Sequence, residues 1–230
     1  MKSPRSIEID NIKNMNKKKA IVIGATGMVG TQLIQLLLQN KSYSEVISFV
    51  RRPGGITHPK LTEQIINFDQ PETWSNLVTG DVLFSTLGTT IAQAKTKDAQ
   101  YKVDFTYQFN VAEIAAGNGV TNYVLISSAG ANPNSKTFYM SMKGQLDEAV
   151  QALPFDYISI IRPGQLEGER NEKRFGEKVG LTVMHGLNKL GLFKRYQPIK
   201  ATNVAKSMIH AAQNRRSATY TLDEVHKLAK

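Results

Sequence analysis

Six short apolar runs punctuate this chain, and helical periodicity fills most of the gaps between them. The runs are Ala20–Ile23, Val46–Val50, Gln64–Phe68, Val82–Ser85, Tyr123–Ser127 and Asp156–Ile161. Helical spacing covers Met28–Gln39, a short stretch near Pro71–Leu77, then Lys97–Ala116 and Lys136–Ala152. A strand apolar on both faces must be covered on both, and strands joined by helices pair in parallel. The alternation therefore predicts an α/β fold built on a doubly wound parallel sheet.

Beyond Arg162 the pattern loosens. Thr202–Asn214 reads as a helix with Thr202 or Asn203 as its N-cap, and Thr219–Leu222 as a last strand. Residues of about 165–200 match neither period and are expected to form a small C-terminal substrate-covering lobe, because ligands of such sheets lie beyond the strand C-termini. Residues 1–17 read as a flexible leader ending in a basic run. The fold needs nothing before Lys17, which makes Met15 an alternative start. Residues 18–230 then form a single domain, a size that suits 230 residues in all.

Composition narrows the chemistry. The chain has no cysteine, which excludes disulfides, thiolate nucleophiles and Cys-based metal centres and fits a reducing, cytoplasmic location. His58, His185, His210 and His226 are scattered without metal-binding spacing, so no metal site is expected. No apolar run approaches the ~18 residues of a membrane span. The net charge of +10 includes six basic against two acidic residues in the first nineteen, and no nucleic-acid motif accompanies the rest. It reads as a solvated surface that also attracts an anionic cofactor.

The first run leads straight into Gly24-Ala25-Thr26-Gly27-Met28-Val29-Gly30 and then an apolar helix. Between a buried strand and a helix this spacing has a physical meaning. Gly24 permits the tight turn, Gly27 lets main-chain N–H groups approach a diphosphate, and Gly30 lets the helix pack on the sheet. The anion meets the free N–H groups and positive dipole end of the helix. This is the dinucleotide turn of a Rossmann fold. The next strand ends Phe49-Val50-Arg51-Arg52-Pro53, with no acid where an NAD site places one for the ribose 2′-hydroxyl. Arginine pairs with a 2′-phosphate and stacks on adenine, so NADP(H) is expected in preference to NAD(H).

Tyr139-Met140-Ser141-Met142-Lys143 places Tyr and Lys four apart on a helix, where they are neighbours. A nearby ammonium favours a phenolate, letting the tyrosine exchange a proton with a substrate carbonyl or alcohol. A serine at the preceding strand end would hold that oxygen; Ser128 is the first choice and Ser127 the second, since the alternation cannot separate them. A second such pair, Tyr196 and Lys200, contains Pro198 and is a decoy. Trp74 reads as packing. Phe138, Met140 and Met142 read as pocket wall or helix packing, Glu167 and Glu169 as solvated loop carboxylates.

These motifs, with Leu87-Gly88-Thr89-Thr90, Leu125–Asn132, Gly144 and Ile161-Arg162-Pro163-Gly164, resemble the short-chain dehydrogenase/reductase superfamily. The narrower resemblance is to its atypical Tat-interacting-protein (oxidoreductase) branch, over about residues 18–215. The resemblance implies an NADP(H)-bound Rossmann fold with a Ser128–Tyr139–Lys143 site. It implies that Gly24, Thr26, Gly27, Met28 and Val29 line the diphosphate and that Arg51 and Arg52 meet the 2′-phosphate. Leu87, Gly88 and Thr89 would flank the ribose and nicotinamide side. Lys143 would also hold the nicotinamide ribose, and Pro163 and Gly164 would border the nicotinamide. Asp69 would approach the adenine, with a helix cap as its ordinary alternative, and Asn110 occupies a position similar to a relay asparagine.

The expected activity is NADP(H)-dependent reduction of a small carbonyl or oxidation of an alcohol. Its alternatives are an NADP(H)-sensing binding protein with little turnover, and an NAD(P)-bound epimerase or dehydratase. The expected partner is a small-molecule substrate, not nucleic acid, with homodimerisation open through exposed apolar helix faces.

Overall fold

The computed structural model describes residues 17–167 and 198–230. The leader 1–16, most of the expected substrate lobe, Tyr196 and Glu169 lie outside the described residues. The main sheet uses β1 (Lys18–Ile23), β2 (Tyr43–Val50), β3 (Leu61–Ile65), β4 (Val82–Ser85), β5 (Asn122–Ile126), β6 (Tyr157–Arg162) and β9 (Ala218–Thr221). All seven pair in parallel, in the order β3-β2-β1-β4-β5-β6-β9. The order reverses direction between β1 and β4, which opens the crevice where ligands of such sheets bind. Two further short strands, β7 (Leu166–Glu167) and β8 (Ile199–Lys200), pair with each other just beyond the end of β6.

Side chains alternate between two cores. Ala20, Val22, Val46, Val82, Phe84 and Val124 face the layer containing α1 (Met28–Gln39) and α6 (Ala201–Asn214). Ile21, Ile23, Ile47, Phe49, Leu83, Tyr123 and Leu125 face the opposite layer. That layer holds α4 (Tyr107–Gly117) and α5 (Phe138–Gln151), which follow the short helices α2 (Ile91–Ala94) and α3 (Lys97–Tyr101). A final helix, α7 (Asp223–Leu228), buries Val225 against the first layer. The two cores are why the strands are apolar in continuous runs rather than alternating with polar residues. α6 packs on α1, with a 2.7 Å hydrogen bond between Thr202 Oγ1 and Gln32 Oε1.

Several local expectations shift. The third strand is Leu61–Ile65 rather than Gln64–Phe68. It lies at the sheet edge and is only half-covered, while Phe68 packs in the second core with Trp74, whose ring is buried. Pro71–Leu77 forms two 3₁₀ turns, Pro71–Thr73 and Ser75–Leu77, rather than a helix. The helix predicted over Lys97–Ala116 is interrupted by a π turn at Lys102–Thr106. Helix α6 begins one residue early, with Lys200 at its N-cap, because the Thr202 hydroxyl is engaged with α1.

The glycine turn shows why side chains are excluded. Gly24 has φ +79°, and a Cβ there would lie 2.4 Å from the Leu87 nitrogen. A Cβ on Gly30 would lie 2.0 Å from the Gly24 carbonyl oxygen. By contrast, a Cβ on Gly117 meets nothing within 4 Å. Gly30→Ala should therefore lower unfolding free energy by about 2–3 kcal/mol through overpacking. Gly117→Ala should raise it by about 0.5 kcal/mol by restricting the unfolded chain. Urea titrations of the two variants check both signs.

Candidate active site

The turn Gly24–Gly30 closes with Gly27 N–H donating to the Gly24 carbonyl at 2.9 Å. Helix α1 starts at once after it, and its N-cap Gly27 offers no side chain to the first-turn N–H groups. Those donors lie at the positive end of a twelve-residue helix, the kind of place that suits an anion. Thr26 is exposed, whereas Val29 is buried in the core, leaving Val29 only its main chain to offer. Arg51 and Arg52 follow β2 directly and are both exposed.

Across the switch point, Thr86 ties the end of β4 to the end of β1, donating from Oγ1 to the Ile23 carbonyl at 2.9 Å. Leu87, Gly88 and Thr89 continue along the crevice beside the glycine turn. This segment rests on Asp104, buried within the π turn, whose Oδ2 accepts from Thr89 N–H at 2.8 Å. A Cβ on Gly88 would come within 3.3 Å of the same carboxylate. π turns recur at functional sites because the extra residue re-aims a side chain. Periodicity carries no trace of it, and Asp104 was not legible in the sequence.

Asp69 lies just beyond β3, exposed, and its carboxylate is already engaged. Lys102 reaches its Oδ1 at 2.7 Å and the Tyr107 hydroxyl donates to it at 2.8 Å. The hydrogen bond from Lys102, then that from Tyr107, holds Asp69 below the usual carboxylate range. Asn110 lies half-buried on α4.

The remaining expected site residues lie where β5, β6 and α5 meet. The end of β5 is hydrogen-bonded to the end of β6: Ser127 N–H donates to Ile161 and Ala129 N–H to Pro163. Helix α5 is stitched onto the segment after β5. Ser141 Oγ donates to the Pro133 carbonyl at 2.8 Å, and Asn132 N–H donates to the Met140 carbonyl at 3.1 Å. Gly144 makes this approach possible, since a Cβ there would lie 2.2 Å from the Pro133 nitrogen. Tyr139 is 38% exposed, on the open side of the helix. Lys143 is 3% exposed, and its Nζ donates to the Ile126 carbonyl at 3.2 Å. Met142 is buried in the interior, which leaves Phe138 and Met140 as the half-exposed residues beside Tyr139.

The two serines differ. Ser127 is buried, and its Oγ donates to Asp147 Oδ2 at 2.8 Å. Ser128 is half-buried, with only a long 3.4 Å contact to the Ala129 carbonyl. Asp147 is a further residue that the sequence reading missed, though it lies four residues past Lys143 on the same helix. The same Oδ2 takes both Arg162 Nε and a second Arg162 nitrogen at 2.8 Å. Burial pushes the Asp147 carboxyl above its usual range; Ser127, Arg162 and Lys143 pull the other way. One carboxylate thus joins β5, β6 and α5.

Removing one member of a buried pair strands the other charge, at a cost of about 3–5 kcal/mol. Asp147→Ala should show a loss of that order in chemical denaturation, reduced by the part of Arg162 that reaches solvent. Adding Arg162→Met should restore much of it, so a double-mutant cycle with no coupling would contradict the pairing.

Comparisons with known proteins agree with this geometry. A family model described as NAD(P)H-binding matches residues 24–215. The chain is 36% identical over 202 residues to "Protein FMP52, mitochondrial" of Saccharomyces cerevisiae, covering 84% of this chain and 87% of that protein. It is 31% identical to the protein of the same name in Candida albicans, covering 84% and 86%. Among solved structures, the ADP-L-glycero-D-manno-heptose-6-epimerase of Helicobacter pylori superposes with a TM-score of 0.67 at 16% identity, covering 94% of this chain and 82% of that one. A short-chain dehydrogenase/reductase superfamily protein from Agrobacterium tumefaciens, with bound NAD, gives 0.66 at 15%, covering 89% and 77%. These structural likenesses establish the Rossmann-type fold alone. The relatives are named mitochondrial, which overturns the expected cytoplasmic location. A chain without cysteine suits more than one compartment, so composition held no address. With a model matched over residues 24–215 and relatives matched over most of their length, the chain belongs to the NAD(P)H-binding family that includes the fungal FMP52 proteins.

Proposed function

We propose that this protein is an NADP(H)-dependent oxidoreductase of the short-chain dehydrogenase/reductase type, acting on a small carbonyl or alcohol. The observation that carries the reading is the docking of α5 on the end of β5, with Tyr139 exposed and Lys143 buried, its Nζ on the Ile126 carbonyl. Bound in the crevice, the nicotinamide nucleotide supplies or accepts the hydride. The first-turn N–H groups of α1 hold its diphosphate, and Arg51 and Arg52 receive the 2′-phosphate.

Tyr139 passes a proton to the substrate oxygen on reduction and takes it back on oxidation. Ser128, whose hydroxyl is not committed to Asp147, orients that oxygen. Lys143 holds the nicotinamide ribose from below and supplies positive charge to the phenol. Asp69, with Lys102 and Tyr107, borders the adenine. Pro163 and Gly164 border the nicotinamide. β7 and β8 pair with each other close in the chain to Pro163 and Gly164, and residues of about 165–200 are read as a substrate-covering lobe of one domain spanning 18–230. The relatives' names favour a mitochondrial setting for this activity. The motifs of the Tat-interacting-protein branch favour the same chemistry.

Titration calorimetry on ligand-free protein should show NADPH binding more tightly than NADH; equal or tighter binding of NADH would refute the cofactor assignment. Arg51→Ala should weaken NADPH by about ten- to a hundredfold, the worth of a charge-assisted contact, and leave NADH nearly unchanged. With NADPH and a panel of small aldehydes and ketones, Tyr139→Phe should lower kcat by about 10²–10⁴ while NADPH affinity holds. Retained turnover would remove Tyr139 from the proton transfer.

A further inference from the structure

No acid follows β2, yet the fold brings one to the same place from the neighbouring strand. Glu63 lies on β3 opposite Ser48 of β2, half-buried, on the sheet face that packs against α1. Its carboxylate reaches past the end of β2 and accepts the Gly54 N–H with both oxygens, at 3.0 and 3.2 Å. Gly54 is pinched there: a Cβ on it would lie 2.6 Å from Glu63 Oε1 and 3.4 Å from Thr26 Cγ2. The segment carrying Arg51 and Arg52 is thereby tied down between the glycine turn and a negative charge. Ala25, Thr26, Gly54 and Glu63 line one cleft with α1, and among the described residues Glu63 is the only charged one lining it.

We propose that Glu63 sets the cofactor choice of this protein, its carboxylate opposing the 2′-phosphate that Arg51 and Arg52 attract. The inference rests on the cofactor reading above. A nucleotide seated on the Gly24–Gly30 turn carries its adenosine ribose past Thr26 toward the arginines, bringing a 2′-phosphate to the mouth of this cleft. Like charges in a partly solvated cleft repel, and the effect weakens as salt screens them. A 2′-hydroxyl carries no charge to be repelled, and a hydrogen bond from it to Glu63 survives in glutamine, which keeps an acceptor oxygen. The two opposed influences leave NADPH favoured over NADH by less than about tenfold, where arginines without an opposing acid would give a much larger ratio.

The test is calorimetry with NADPH and NADH on the wild-type chain and on Glu63→Gln, at low and at high salt. Glutamine keeps an oxygen for the Gly54 N–H and removes only the charge; a thermal melt reports whether the variant remains folded. The variant should bind NADPH about tenfold more tightly and NADH within about twofold of wild type, with the gain shrinking at high salt. Unchanged or weaker NADPH binding by the folded variant would overturn the proposal. The wild-type ratio tests it without any variant: a preference for NADPH above about a hundredfold would sink the role of Glu63 and leave the cofactor reading standing. Failure of the wild type to bind either nucleotide would sink the cofactor reading, and with it this one.

Discussion

The contact between main chains at the C-terminal end of β1 governs the molecule. Gly24 abuts Thr86 and Leu87 beyond β4, and Gly30 abuts the Gly24 carbonyl, with no room for a single carbon at either position. Because those backbones touch, α1 begins within a few residues of the strand, its first-turn N–H groups without a side-chain cap. For the same reason the Leu87–Thr89 segment runs beside the turn, close enough to border whatever the turn holds. The start of α1 and the approach of the segment after β4 both depend on omitting side chains at two positions.

The opposite end of the site is held by charge rather than by absence. Ser127, Arg162 and Asp147 converge from two strands and a helix, with Lys143 one helical turn away. A buried ion pair is a poor source of net stability but penalises any arrangement that separates its members. Here such an arrangement would be one in which α5 slides along β5 and β6. The carboxylate thereby fixes the registry of α5, which carries Tyr139 and Lys143, against β5 and β6. Asp104 does similar work for the Leu87–Thr89 segment from inside the π turn.

What the sequence revealed and what it hid divide along physical lines. β1, β4 and β5 were legible because central parallel strands must be apolar throughout, and α1 and α5 because their buried faces recur at helical spacing. The edge strand β3 was displaced by three residues because half its surface is solvated, and Ile66 and Phe68, which pack elsewhere, drew the reading onward. The π turn was invisible because one extra residue in a helix leaves the composition unchanged. Residues named from local motifs, such as Tyr139 and Lys143, could be found on one helix. Asp104, Asp147 and Glu63 could not: each acts on a residue brought to it by the fold, from 9 to 20 positions away in the chain. The choice between Ser127 and Ser128 was likewise beyond alternation, since it turns on which hydroxyl the buried carboxylate takes.

The packing of α6 on α1 has a consequence for how the molecule is made. Thr202 and Gln32, which join the two helices, are separated by 170 positions. During synthesis, the sheet face behind the glycine turn therefore emerges without the cover that α6 gives it, and it stays so until α6 has left the ribosome. Closing so long a loop is also entropically slow. The nascent chain thus carries an exposed hydrophobic face for most of its translation, and a holding chaperone would find its target there rather than on the finished surface.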